Sequence, residues 1–194
     1  MEILQIGYVG LGGTLEILKQ NEERLLTRFS PGYLRPIYGY EKELLLEEFK
    51  WKQICQMIGN SGIIHPIHDG GILTALWEIA DLWSERRRED GQMGDAAIVG
   101  LETSFTRMPI KQETIELCEF GGFHPYEMSD YGGALVLTGS CSEVMELLRL
   151  HELCVQVIGH TTNRKERVIL QGNEKRFLER PRRRQYEKTD FKMH

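Results

Sequence analysis

No stretch of this 194-residue chain approaches the roughly 18 apolar residues of a membrane span. Its first ten residues, MEILQIGYVG, carry neither the basic start nor the long apolar run of a secretion signal. Both absences predict a cytoplasmic protein with no membrane partner. An excess of positive charge is also missing: the net charge is −5, so general binding to nucleic acid or an anionic membrane surface is not expected. The four cysteines, Cys55, Cys118, Cys141 and Cys154, form no Cys-x-x-Cys pair and sit in apolar stretches, which reads as reduced, buried thiols. The first glycine cluster, Gly10-Leu-Gly-Gly13-Thr14, lacks the spacing of a dinucleotide fingerprint and the lysine of a P-loop.

What is present is the composition of an ordinary globular domain, 41% apolar and 27% charged. The length suits one self-sufficient core. Positive charge gathers only at the end, where Lys175, Arg176, Arg180, Arg182, Arg183, Arg184, Lys188 and Lys192 outnumber the acids. The expected organisation is one domain over residues 1–178 and a basic, solvated tail over 179–194.

Strand-like and helix-like segments alternate. Ile3 to Val9 reads as a strand, and Leu15, Leu18, Leu25 and Phe29 keep helical spacing after the glycines. Ser30-Pro31 has the form of an N-cap followed by proline at the first helical position. A charged helix is expected through Glu41 to Met57. The strand Ile63 to Ile67 then runs through a glycine turn into a helix whose Leu73, Leu76, Trp77, Ala80 and Trp83 form one apolar stripe. Glu85 to Gly94 reads as a loop, Ala96 to Leu101 as a strand, Lys111 to Phe120 as a helix and Gly132 to Thr138 as a strand. Ser140 and Glu143 have capping-box spacing before another helix, and strands are expected at Cys154 to Ile158 and Arg167 to Leu170. This order predicts a layered α/β sandwich with a mixed sheet.

Three constellations could carry chemistry. In the turn His65-Pro66-Ile67-His68-Asp69-Gly70-Gly71, two imidazoles and a carboxylate are types that ligate metals, yet the spacing is no zinc signature, and no metal is expected. Asp69 could cap the following helix. Alternatively, the helix N-terminus could hold an anion, with His65 or His68 adding a donor. The glycines Gly10, Gly12 and Gly13 form a second strand-to-helix turn, readable as a tight turn or as a second cradle. Third, Arg107 and Lys111 flank a helix start, where cations oppose the helix dipole and would instead face a partner or solvent.

Taken in order, Gly10 to Thr14, Arg28-Phe-Ser-Pro31, HPIHDGGILTALWEIAD at His65 to Asp81, Met108 to Cys118 and His124-Pro-Tyr126 resemble the C-terminal domain of the aminoimidazole ribonucleotide synthetase superfamily. The likeness is greatest to the branch of the hydrogenase maturation factor that dehydrates a carboxamide to a nitrile, and Arg167 to Leu170 and Arg176 to Pro181 resemble its end. The resemblance implies an enzyme class in which ATP and magnesium bind mainly to an N-terminal domain that also builds the dimer. Here the chain begins at the linker strand, so ATP and magnesium are expected only if a separately encoded ATP-binding domain joins it.

The turn departs from relatives, which carry His-Asp-hydrophobic-Thr before the glycines: Pro66 replaces the Asp and His68 the Thr. The carbamoyl-accepting terminal cysteine has no counterpart in Asp190-Phe-Lys-Met-His194, and carbamoyl dehydration is not expected. Two readings follow. One is an accessory, non-catalytic module that binds a phosphorylated or anionic small molecule or a protein partner, including a second copy. The other is the substrate-binding half of a split ATP-dependent enzyme.

Overall fold

The computed structural model describes residues 1–44, 52, 55–56, 58–59, 62–130 and 132–181. Its centre is a seven-stranded sheet. The strands are β1 (Glu2–Ile6), β2 (Gly62–Pro66), β3 (Gly100–Ser104), β4 (Ala134–Thr138), β5 (Val155–Thr162), β6 (Arg167–Gln171) and β7 (Glu174–Phe177). They are ordered β2-β4-β1-β5-β3-β6-β7. Every pairing is antiparallel except β3 with β6, so the sheet is mixed as expected.

The longer helices are α1 (Leu11–Leu25), α2 (Gly71–Glu89), α3 (Gln112–Gly121) and α4 (Cys141–Leu150). Helix α2 covers one sheet face, burying Ile72, Ala75, Leu76, Ile79 and Ala80 among Ile3, Leu101, Leu135, Leu137, Ile158 and Ile169. This is the i, i+3, i+4, i+7 stripe of an amphipathic helix, and each of its Ile and Leu side chains contributes roughly 1.5–3 kcal/mol on full burial. The opposite face carries α4, whose Val144 and Leu148 meet Leu4, Ile6, Val136 and Val155. Helices α1 and α3 share a third apolar cluster with Leu34, Ile37 and Tyr40.

Several boundaries move. Helix α2 continues to Glu89 instead of yielding to a loop at Glu85, because Arg86, Arg87 and Arg88 occupy its last turn, where cations complement the helix dipole. Gly94–Ala97 forms a 3-10 turn, and the strand begins only at Gly100. Strand β1 stops at Ile6, since Gly7 takes φ +86°. Strand β7 carried no alternating pattern; all four of its residues are exposed. Ser30 caps as expected, accepting from the Tyr33 N–H at 3.2 Å, although the helix it opens spans only Pro31–Leu34. Ser140 makes no side-chain cap; its N–H donates to Thr138 Oγ1 instead. Of the cysteines only Cys118 is buried, and Cys55 is exposed. Most of the charged stretch 41–57 and the tail beyond residue 181 lie outside the described residues.

The sheet register decides where chemistry could gather. Ala134 pairs with Ile6 on one side and Pro66 on the other. The exits of β1 and β2 and the entry of β4 therefore share one end of the sheet, and both glycine turns open there.

Candidate functional site

Each of the two turns is a strand running through glycine into a helix, and a single segment, residues 124–130, lies against both. At the first, Gly10 holds the left-handed conformation (φ +67°, ψ +18°) at the N-cap of α1. A β-carbon there would stand 2.8 Å from the Pro125 carbonyl oxygen, and one at Gly13 would meet the Met128 side chain at 2.5 Å. The Gly13 N–H donates to the Ser129 carbonyl at 2.9 Å. The glycines thus admit the segment at close range.

The same segment delivers a buried carboxyl group. Asp130, 1% exposed, accepts the Leu11 N–H at Oδ1 (3.0 Å) and also binds the Gly10 N–H. Its carboxyl therefore occupies the α1 N-terminus, the position the helix dipole favours for negative charge. Burial nonetheless pushes it up to about 8, outweighing those two N–H groups, and Oδ2 has no hydrogen-bond partner among the described residues.

The second turn differs. Gly70 (φ +86°) is the N-cap of α2; a glycine brings no capping side chain of its own, and no acidic residue stands in the first turn. Asp69 is exposed and accepts from Ser129 Oγ at 3.4 Å, so it turns toward the segment instead of capping. Gly71 (φ +64°) is packed from the other side: a β-carbon would lie 2.5 Å from the Tyr126 carbonyl oxygen. His65, with 14% of its side chain exposed, lies 2.7 Å through Nε2 from Glu78 Oε2 on α2. Its ring meets that of His68 edge-on, with centroids 5.4 Å apart and planes at 88°, and His68 is exposed. Among the described residues no group of three or more His, Cys, Asp or Glu side chains is placed to hold a metal ion.

The structure therefore brings His65, His68, Asp69, Gly70 and Gly71 together at one rim. Gly10, Gly12 and Gly13 stand at the neighbouring turn, where the chain's own carboxylate is seated. Lys111 is drawn inward: its ammonium lies 4.3 Å and 4.4 Å from the Tyr8 and Tyr40 ring centroids and 2.9 Å from Glu43. Arg107 remains exposed. Asp130, Ser129 and Glu78 went unread in the sequence. Asp130 reaches a backbone N–H 119 residues away, a separation that leaves no local spacing to read.

No protein-family model matches this sequence, and no curated protein matches it. Solved structures do. Escherichia coli HypE, a hydrogenase maturation protein, aligns over 93% of this chain and 49% of its own, with 17% identity and a TM-score of 0.65. HypE in complex with ATP aligns over 94% and 51%, with 16% identity and a TM-score of 0.57. Thiamine-monophosphate kinase from Stenotrophomonas maltophilia aligns over 83% and 47%, with 14% identity and a TM-score of 0.51. The chain spans about half the length of these structures. What is shared is the fold, the α/β architecture of aminoimidazole ribonucleotide synthetase-like proteins. Among the described residues no helix is long and apolar enough to cross a membrane.

Proposed function

We propose that residues 1–178 form a binding module that holds a phosphorylated or anionic small molecule at the Gly70 turn, with residues 179–194 as a basic tail apart from it. The observation that carries this reading is the unlike state of two similar turns. At α1 the Asp130 carboxyl is seated at the helix N-terminus; at α2 the first turn holds no acidic residue, and two imidazoles stand at its edge. A helix N-terminus favours negative charge through its aligned N–H groups, and His68 can add a donor. Asp69 opposes an anion, and its turn toward Ser129 lessens that opposition.

The neighbours support the class of ligand. One is a kinase of thiamine monophosphate, and HypE has been solved with ATP. A second reading draws on the coverage of about half of HypE: this domain is the substrate-binding half of an ATP-dependent enzyme, with ATP and magnesium held by a separate domain. Phosphoryl transfer would then draw on this domain for positioning and charge stabilisation.

Calorimetric titration with inorganic pyrophosphate tests the module. Binding is expected, and His68→Ala should weaken it about tenfold, the equivalent of one charge-assisted hydrogen bond. Pyrophosphate affinity unchanged by that substitution would remove His68 from the site. Hydrolysis of ATP with magnesium by the purified chain, lost in His68→Ala and Asp69→Ala, would overturn the non-catalytic reading. Recovery of an ATP-binding partner in a native pull-down would favour the split enzyme.

A further inference from the structure

Glu78 stands behind the histidines of the second turn. It projects from α2, 13 residues beyond His65, and its Oε2 lies 2.7 Å from His65 Nε2. A carboxylate oxygen only accepts, so Nε2 carries the hydrogen and donates it. The distance is that of a charge-assisted bond. A ring whose one nitrogen is committed in this way has a fixed tautomer and a fixed plane. That plane is the one the His68 ring meets at 88°. His65 lies between Glu78 and His68 and is the most buried of the three, its side chain 14% exposed against 40% at Glu78, with His68 exposed.

We propose that Glu78 is the positioning residue of this rim: by holding the tautomer and plane of His65 it sets where His68 stands beside the α2 N-terminus. Its consequence for anion binding rests on the function proposed above. The contact adds little to stability, because a pair this open to water is screened. Its effect is geometric, since His68 is the ring that would touch the anion and His65 is the surface it rests on.

The test uses the full chain, labelled with 15N, and reads the histidine ring nitrogens by long-range 1H–15N NMR without ligand. Pyrophosphate titrations of the same samples follow. In the wild type His65 should be the Nε2–H tautomer. Glu78→Gln, whose amide oxygen still accepts that hydrogen, should keep it. Glu78→Ala should give a mixture of tautomers, move the His68 ring signals and weaken pyrophosphate binding about tenfold, with an unchanged melting temperature. The Nδ1–H tautomer in the wild type, or His68 signals unmoved in Glu78→Ala, would overturn the proposal. A wild type that binds no pyrophosphate, yet shows the tautomer and the linked shift of His68, defeats the binding module and upholds the positioning role. Equal pyrophosphate affinity in wild type and Glu78→Ala, with His68 unmoved, does the reverse.

Discussion

The α1 and α2 turns are alike in plan and opposite in state. Both leave strands that flank β4 and run parallel to each other, at the same end of the sheet; both begin a helix with a left-handed glycine, and both are packed by residues 124–130. At α1 the segment inserts a buried carboxylate, and the turn becomes part of the core. At α2 it contributes backbone contact at Gly71 and the Ser129 hydroxyl on Asp69, while the side chains around the opening, His68 and Asp69, stay exposed. The same local sequence device thus serves structure or leaves a rim for binding, according to what one distant loop delivers.

The largest break in the comparison should come from closing the gap between segment and second turn. Gly71→Ala combines φ +64° with a β-carbon 2.5 Å from the Tyr126 carbonyl oxygen. Backbone cannot swing aside as a side chain end can, so the left-handed strain adds to overpacking. A loss of about 3 kcal/mol is expected from those two costs together, read as a lower urea midpoint. A variant as stable as the wild type would mean that segment 124–130 is not held where it lies.

Removing the carboxyl group from the first turn comes next. Asp130→Ala leaves the buried Gly10 and Leu11 N–H groups without their acceptor, at about 2 kcal/mol. Asp130→Asn keeps an acceptor and separates charge from hydrogen bonding. Because burial raises the folded-state value to about 8 from 3.8, the native protein binds the proton more tightly than the unfolded chain. The stabilisation is full below the ordinary carboxylate range and is lost as pH rises toward about 8. Urea unfolding from pH 4 to 8 should show that decline in the wild type and a flatter profile in Asp130→Asn. Parallel profiles would assign the decline to other groups.

The sequence revealed the elements better than their junctions. Helix α2 and the strands β2, β4 and β6 were readable because alternation and helical spacing are local, and the mixed sheet follows from their order; the buried stripe of α2 nonetheless runs through Ile72, Ala75, Leu76, Ile79 and Ala80, leaving Leu73, Trp77 and Trp83 of the expected stripe partly buried at its edge. The ends of α2 and β3 were not, since Arg86 to Arg88 and Gly94 suit a loop as well as a helix end. The rim at His65 to Gly71 was legible as residue types. Its internal order was not: the carboxylate held by His65 comes from α2, and Asp69 faces Ser129, 60 residues away. Asp130 was wholly hidden, as a lone acid before Tyr131 and two glycines has the look of a surface turn.

The finest test of the comparison is Gly13→Ala, made at the first turn against the same segment. Here the added β-carbon would meet the Met128 side chain, its terminal Cε at 2.5 Å and its Cβ at 2.9 Å, not a carbonyl. No φ in the left-handed range is required at Gly13, and alanine favours the helix by up to about 1 kcal/mol over glycine. Methionine is unbranched and can change rotamer, but its β-carbon moves only with the backbone. The two effects nearly cancel, and a net change within about 1 kcal/mol is expected. Cys118, whose Sγ lies 3.1 Å from the Met128 sulfur and whose thiol burial pushes up to about 12, reports the adjustment. Its rate of alkylation should rise in Gly13→Ala if Met128 shifts away and stay at the wild-type value if the segment moves as one piece, which would couple the two turns more tightly than their separate contacts do.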